Sequence, residues 1–400
     1  MARIRILRTG EGPLRPSFLE LFFDLALVVA LTRLSQLIAA DLSWANALRA
    51  MILLAAIWWV FTVTAYTTDW FDTDQPVIQL LVLGVMLGGL LMALTIPRAF
   101  ERPDGIVFAG AYVAVHVGRG LLLAWALQGH QLRYRSLRVV VWFGLTGVPW
   151  IIGGFLGGTG QWVLWVAALA VDYWVGWFGY PLPRMGRTPP DELRVLGEHL
   201  SERFRQMLIV ALGEVILVAA LAYRSVNFGS LHTLAFVMVF VNTALMWRIY
   251  FVRSGRWLGP GLEHAARSGQ LALLAAHTHL IMVAGAVVTA VGAELVVIHP
   301  ARPSPVTWLV SLTAGPAMFL IGRILFAVLT LRMAHFRKIE VPRPWWLPIG
   351  LFVILVATPA LRHLPTLGIA AVINAVFLAV ALAPTAQSRW QTRRRRVGGP

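Results

Sequence analysis

The chain has 400 residues, 58% of them hydrophobic and 13% charged, with a mean hydropathy of +0.73. Soluble domains sit nearer roughly 45–50% apolar and about 25% charged, so this balance excludes a disordered chain, a coiled coil and an ordinary cytosolic enzyme. Cysteine is absent, which removes disulfides, thiolate metal sites and a cysteine nucleophile, and the net charge of +16 raises nucleic acid as a partner until the charges are placed.

Crossing a bilayer as helix takes about 20 mostly apolar residues. Twelve stretches qualify, at 17–40, 48–68, 76–97, 105–128, 137–156, 161–179, 203–223, 229–251, 270–297, 306–330, 345–363 and 365–384. The first carries Glu20, Asp24 and Arg33 and has no small-residue cleavage site after its apolar part, so it reads as a retained helix and not a removed leader. The predicted fold is thus an all-α polytopic bundle of about twelve membrane helices. With both termini on one side, 23 of the 34 basic residues fall on that side and 5 on the other. Basic residues collect on the cytoplasmic side, so both termini are expected there. Asp69, Asp72 and Asp74 are the exception, an acidic group on the inner side with no basic partner. The basic excess is therefore mostly topological. The tail Arg393 to Arg396 is expected to meet anionic lipid headgroups, not nucleic acid.

The longest inner loop divides the sequence into an N-terminal six-helix half (1–180), a cytoplasmic linker (181–202) and a C-terminal six-helix half with the basic tail (203–400). FFDLALVVALTR at 22–33 and RFRQMLIVALGE at 203–214 align weakly, as do the segments around Arg119 and Arg323. Two six-helix repeats share orientation, so the expectation is a pair of parallel repeats about an axis along the membrane normal.

Ionisable groups at membrane depth are costly and usually face a bundle interior or a solute path. The principal candidates for substrate or ion binding are Glu20, Asp24, Arg33, Arg119, Glu214 and Arg323; His116, Asp172, Glu202, Arg203 and His279 are secondary. Glu20 and Asp24 are four apart, one above the other on a helix, close enough to share a proton. Glu214, flanked by apolar runs, is the best single proton or cation site. His277 and His279 are two apart and point to different sides. Glu198, His199 and Glu202 resemble a metal cluster in spacing, but an amphipathic inner-face helix explains them better. No metal and no cofactor are expected. Gly84 and Gly88 predict close helix packing. Gly153 to Gly160 reads as a flexible outer connector, and Pro97, Pro149, Pro316 and Pro359 mark kinks or broken helices that expose carbonyls.

Two segments then carry a resemblance. Glu20-Leu21-Phe22-Phe23-Asp24-Leu25 with Ala30-Leu31-Thr32, and His199-Leu200-Ser201-Glu202-Arg203-Phe204 with Leu208 to Glu214, are similar to the bacterial low temperature requirement A family; Trp247, Tyr250-Phe251 and His279 also fit it. Arg205-Gln206-Met207 departs from the pattern. The resemblance implies a polytopic inner-membrane protein linked by name to growth in the cold, without supplying a substrate or a reaction. Glu20, Asp24, Glu202, Arg203 and Glu214 are the matching residues most worth testing. Paired halves, buried acids and the absence of a nucleotide motif predict a secondary transporter of a small solute or ion. The alternatives are a non-catalytic membrane factor or sensor in cold or stress adaptation, and a membrane enzyme acting on lipid.

Overall fold

A computed structural model describes residues 6–8, 16–189, 194–252, 258–263, 265, 267–336 and 343–397, with backbone only for 386–397. Arg3, Arg5, Arg15, Arg253, Arg256, Arg337 and Lys338, and the side chains of Arg389 and Arg393 to Arg396, lie outside the described residues.

Among the described residues the protein is helical, with only three isolated β-bridges. The helices are α1 (Phe18–Ala40), α2 (Trp44–Trp70), α3 (Pro76–Thr95, extended by a 3-10 turn), α4 (Asp104–Ala126), α5 (Leu132–Leu156), α6 (Gly158–Trp177), α7 (Gly197–Arg224), α8 (Ser230–Phe251), α9 (Leu258–Glu263), α10 (Ser268–Ile298), α11 (Val306–Phe336), α12 (Trp346–Leu361) and α13 (Thr366–Val397). Each of the twelve stretches read from hydropathy lies largely or wholly within one of these, with α9 a short addition. Ten of the helices are long and apolar enough to cross a membrane. The remaining two matched stretches are α6, of 20 residues, and α12, whose 16 residues give about 24 Å of helix.

The chain clusters into two compact units. Unit 1 takes residues 1–210 and 258–277; unit 2 takes 211–257 and 278–400. In unit 1, α4 packs on α3 and α5, α5 on α6, and α1 on α2 and α3. In unit 2, α8 packs on α13 and α12 bridges α11 and α13. Large apolar side chains face outward on many helices, among them Phe18, Leu80, Leu87, Phe240, Phe352 and Val356. Water would penalise such a surface, whereas lipid does not.

Glycines fix several of the close approaches. A Cβ at Gly88 would lie 2.2 Å from Val115, whereas Gly84 has nothing within 4 Å, so only the second glycine of that pair is a packing site. The Gly153–Gly160 stretch is mostly helical instead of a long connector: α5 runs to Leu156, α6 begins at Gly158, and Gly157 and Gly158, with φ 69° and 57°, turn the chain between them. The reason is steric. A side chain at Gly153 would strike the Trp165 ring at 2.7 Å, and one at Gly154 would strike the Gly105 carbonyl at 2.8 Å.

Candidate functional site

The buried charges of unit 1 gather where α1, α2 and the start of α7 meet. Ser17 and Glu20 form a capping box at the head of α1: the Glu20 N–H donates to Ser17 Oγ (3.3 Å) and the Ser17 N–H donates to Glu20 Oε2 (2.8 Å). This fixes the Glu20 carboxylate at the helix end, one turn before Asp24. Asp24 accepts both terminal nitrogens of Arg203, Nη2 at 2.8 Å and Nη1 at 2.9 Å. The match is the planar, two-point geometry that favours arginine over lysine. Arg203 Nε lies 3.5 Å from Glu20 Oε1, Nη1 also donates to Gln206 (3.1 Å), and the guanidinium sits 5.5 Å from the Phe61 ring centroid.

One turn earlier on α7, His199 stands between two further carboxylate contacts. Its Nε2 is 3.2 Å from Glu20 Oε1 and its Nδ1 is 3.0 Å from Asp69 Oδ1. Asp69, at the end of α2, uses its other oxygen to accept the Leu196 N–H (2.8 Å) just ahead of α7. All five side chains are almost completely buried. Carboxylates only accept, so a ring with carboxylate oxygens on both sides is satisfied by an imidazolium donating from both nitrogens. With Arg203 and His199 both positive, the three carboxylates leave the group one negative charge in excess. Such a group is able to exchange a proton or exchange partners, and burial makes each change energetically large.

This arrangement replaces one sequence-based expectation and refines another. Glu20 and Asp24 do not share a proton between themselves; each has a basic partner on α7. The helix expected at 198–202 is the amphipathic start of α7, which runs on into span seven, and His199 lies on its buried face. Glu202 does point outward from that face, pairing with Arg205 on its own helix.

The other candidates lie elsewhere. Arg33 is partly exposed and bonds Gln36 (3.1 Å), away from the network. Arg119 and His116 are buried together on α4, Nη2 to Nδ1 at 2.6 Å, with the His116 ring stacked on Phe143 at 3.9 Å. Asp172 on α6 accepts the Tyr112 hydroxyl (2.8 Å), and Tyr112 in turn contacts His116 edge-on. In unit 2, Glu214 is buried on α7. There the His279 Nε2 meets the Tyr250 hydroxyl at 2.6 Å, and Arg323 donates to the Ile249 carbonyl (3.3 Å) beside the Phe326 ring. Among the described residues no three His, Cys, Asp or Glu side chains are placed to hold a metal ion.

Unit 1 also contains an aromatic cavity of about 50 Å³, lined by Trp59, Tyr66, Trp70, Arg135 and Tyr180 among others. Burial pushes the Tyr180 hydroxyl up to about 12, so it serves as a neutral donor there. Arg135 lies over the Trp70 ring at 4.1 Å and so supplies this cage with its own cation.

Asp69 and His199 were missed as site residues because both sit at span ends, where a charge is ordinarily solvated. The available signal was the inner-side acidic group lacking a basic partner: Asp69 is its first member, and its partner comes from a distant segment.

The comparisons bear on the same segments. The family profile of the bacterial low temperature requirement A protein matches residues 15–382. An uncharacterized protein of Rhizobium meliloti (strain 1021) is 34% identical over 315 residues, covering 77% of this chain and 76% of the relative. No solved structure matches. With its membrane-length helices and a profile match across nearly the whole sequence, the chain is a multi-pass membrane protein and belongs to the bacterial low temperature requirement A family.

Proposed function

We propose that the protein is a secondary transporter of a small solute or ion in the bacterial cytoplasmic membrane, with both termini cytoplasmic and the arginine-rich tail against anionic lipid headgroups. The observation that carries the reading is the buried Glu20–His199–Asp69 and Asp24–Arg203 network, which ties three helices of a membrane protein together through ionisable side chains. A static scaffold gains little from such a network, since apolar residues of similar volume hold helices as well or better. Groups that change protonation or partner during a cycle make use of it. His199, held between Glu20 and Asp69, is the member suited to carry the proton, while Asp24 and Arg203 hold the helices in register. Arg119, Glu214 and Arg323 are candidates for solute or ion contacts along the path, and Arg33 for a counter-charge at the surface.

Purified protein in proteoliposomes, with a pH-sensitive dye inside and a panel of amino acids, organic acids, cations and drugs outside, tests the reading. Uptake that responds to an imposed pH gradient, and loses that response in Glu20→Gln, is the expected result. Absence of flux across the panel, together with normal cold growth of cells carrying Glu20→Gln and Glu214→Gln, refutes it. A changed lipid profile on deletion would instead favour an enzyme acting on lipid, and a stable membrane partner would favour a non-catalytic factor.

A further inference from the structure

Unit 2 contains a half-open, mostly apolar cavity of about 40 Å³, whose polar lining comes from Asn242 of α8, Thr289 of α10 and Asn374 of α13, with Leu312 and Pro316 of α11 beside them. A single water needs about 10–15 Å³ by this measure, so the space admits more than one particle of that size. Its polar lining is specified by hydrogen bonding. Asn374 Nδ2 donates to the Met238 carbonyl at 2.8 Å and lies 3.8 Å from the Met238 sulfur, which turns the Asn374 oxygen toward Asn242. Asn242 Nδ2 donates to that oxygen at 2.8 Å. The Asn242 amide is therefore oriented by a chain of donors, and its Oδ1 is left buried with no donor. A buried acceptor without a donor is destabilising until something supplies the missing partner.

Two more residues of the lining carry acceptors. Thr289 gives its hydroxyl proton to the Gly285 carbonyl (2.7 Å), so its remaining capacity is lone pairs. Pro316 lies inside α11 and has no N–H for the Leu312 carbonyl four residues before it. The helices come close enough to combine these groups because Gly315 has no side chain; a Cβ there would lie 2.5 Å from Thr289 Oγ1. The lining contains no carboxylate and no basic residue. Calcium and magnesium draw on carboxylates, and an anion would meet lone pairs, whereas neutral amide, hydroxyl and carbonyl oxygens suit a singly charged cation.

We propose that this cavity binds a monovalent alkali cation, Na⁺ foremost, through Asn242 Oδ1, Thr289 Oγ1 and the Leu312 carbonyl, with water completing the shell. Its use as a coupling ion rests on the transport reading above; the binding does not.

The test uses the full chain in lipid nanodiscs, measuring equilibrium ²²Na⁺ binding and thermal unfolding in NaCl, KCl and choline chloride at equal ionic strength. Saturable ²²Na⁺ binding and a Tm that rises with NaCl but not with choline are expected. Asn242→Leu should weaken binding by about tenfold or more, as loss of one ligand worth ~1.4 kcal/mol does. Asn242→Asp keeps the shape and adds a charge, and should tighten binding. A Tm that rises equally in choline without saturable ²²Na⁺ uptake means that the cavity holds water only, and overturns the proposal. So does an affinity unchanged in Asn242→Asp, which decides the matter even where Asn242→Leu does not fold. Saturable binding without solute flux would leave this site standing and remove the transport reading; pH-driven flux without cation binding would do the reverse.

Discussion

Two buried arginines show different ways of holding a cation inside the protein. Arg203 in unit 1 is fully buried and faces Asp24 with two hydrogen bonds, with Glu20 alongside. Arg323 in unit 2 is also buried, but among the described residues it has no carboxylate; it donates to one backbone carbonyl and lies near one aromatic ring. The first is a member of a charge network whose other members depend on it. The second is served by neutral groups, like the amides and hydroxyls around it. The lesson is that burial alone does not rank these residues by importance. What matters is how many partners each would strand if it were removed.

The largest expected effect follows directly. Arg203→Met removes the partner of Asp24 and a neighbour of Glu20, and breaking a buried pair costs about 3–5 kcal/mol. Thermal unfolding in detergent should show a sharp loss of stability or little protein accumulating. Combining it with Asp24→Asn should recover a large part of the loss; equal losses in the single and double variants would mean that the pair is not coupled. Next comes His199→Phe, which fills the space but takes one donor from Glu20 and one from Asp69, leaving them the Ser17 and Leu196 N–H groups, at about 2–3 kcal/mol. His199→Gln, which keeps a donor, should lose less, and reversal of that order would remove the bridging role.

Tyr250→Phe in unit 2 deletes the hydroxyl facing His279 and should cost about 0.5–1.5 kcal/mol, an ordinary neutral hydrogen bond, again read from unfolding. The smallest effect belongs to Arg323→Met, expected within about 1 kcal/mol of the parent or slightly stabilising, because no acid is orphaned and a desolvated charge is removed. A loss as large as that of Arg203→Met would erase the distinction between the two arginines.

Much of the architecture was readable from hydropathy because bilayer thickness imposes a length on each helix, and every stretch so identified is helical. Local chemistry was less accessible. Glu20 and Asp24 declared themselves by lying within an apolar run, and Arg203 by its place in the family-like segment. Asp69 and His199 did not, since their burial depends on the meeting of α2 with α7, 130 positions apart in sequence. The glycines of 153–160 misled for a related reason: glycine marks a flexible joint and a tight helix contact with the same letter, and only the neighbouring Trp165 and Gly105 distinguish them.

The spacing of the network has a mechanical consequence. Glu20 and Asp24 on α1, and His199 and Arg203 on α7, are each four residues apart and paired in the same chain direction, like teeth of equal pitch on two racks. A slide of one helical turn, about 5.4 Å, would bring Arg203 opposite Glu20, a contact already approached at 3.5 Å, and would keep one acid–base tooth engaged while freeing the other. The two pairs therefore set the register of α1 against α7 in steps of a whole turn instead of a continuum.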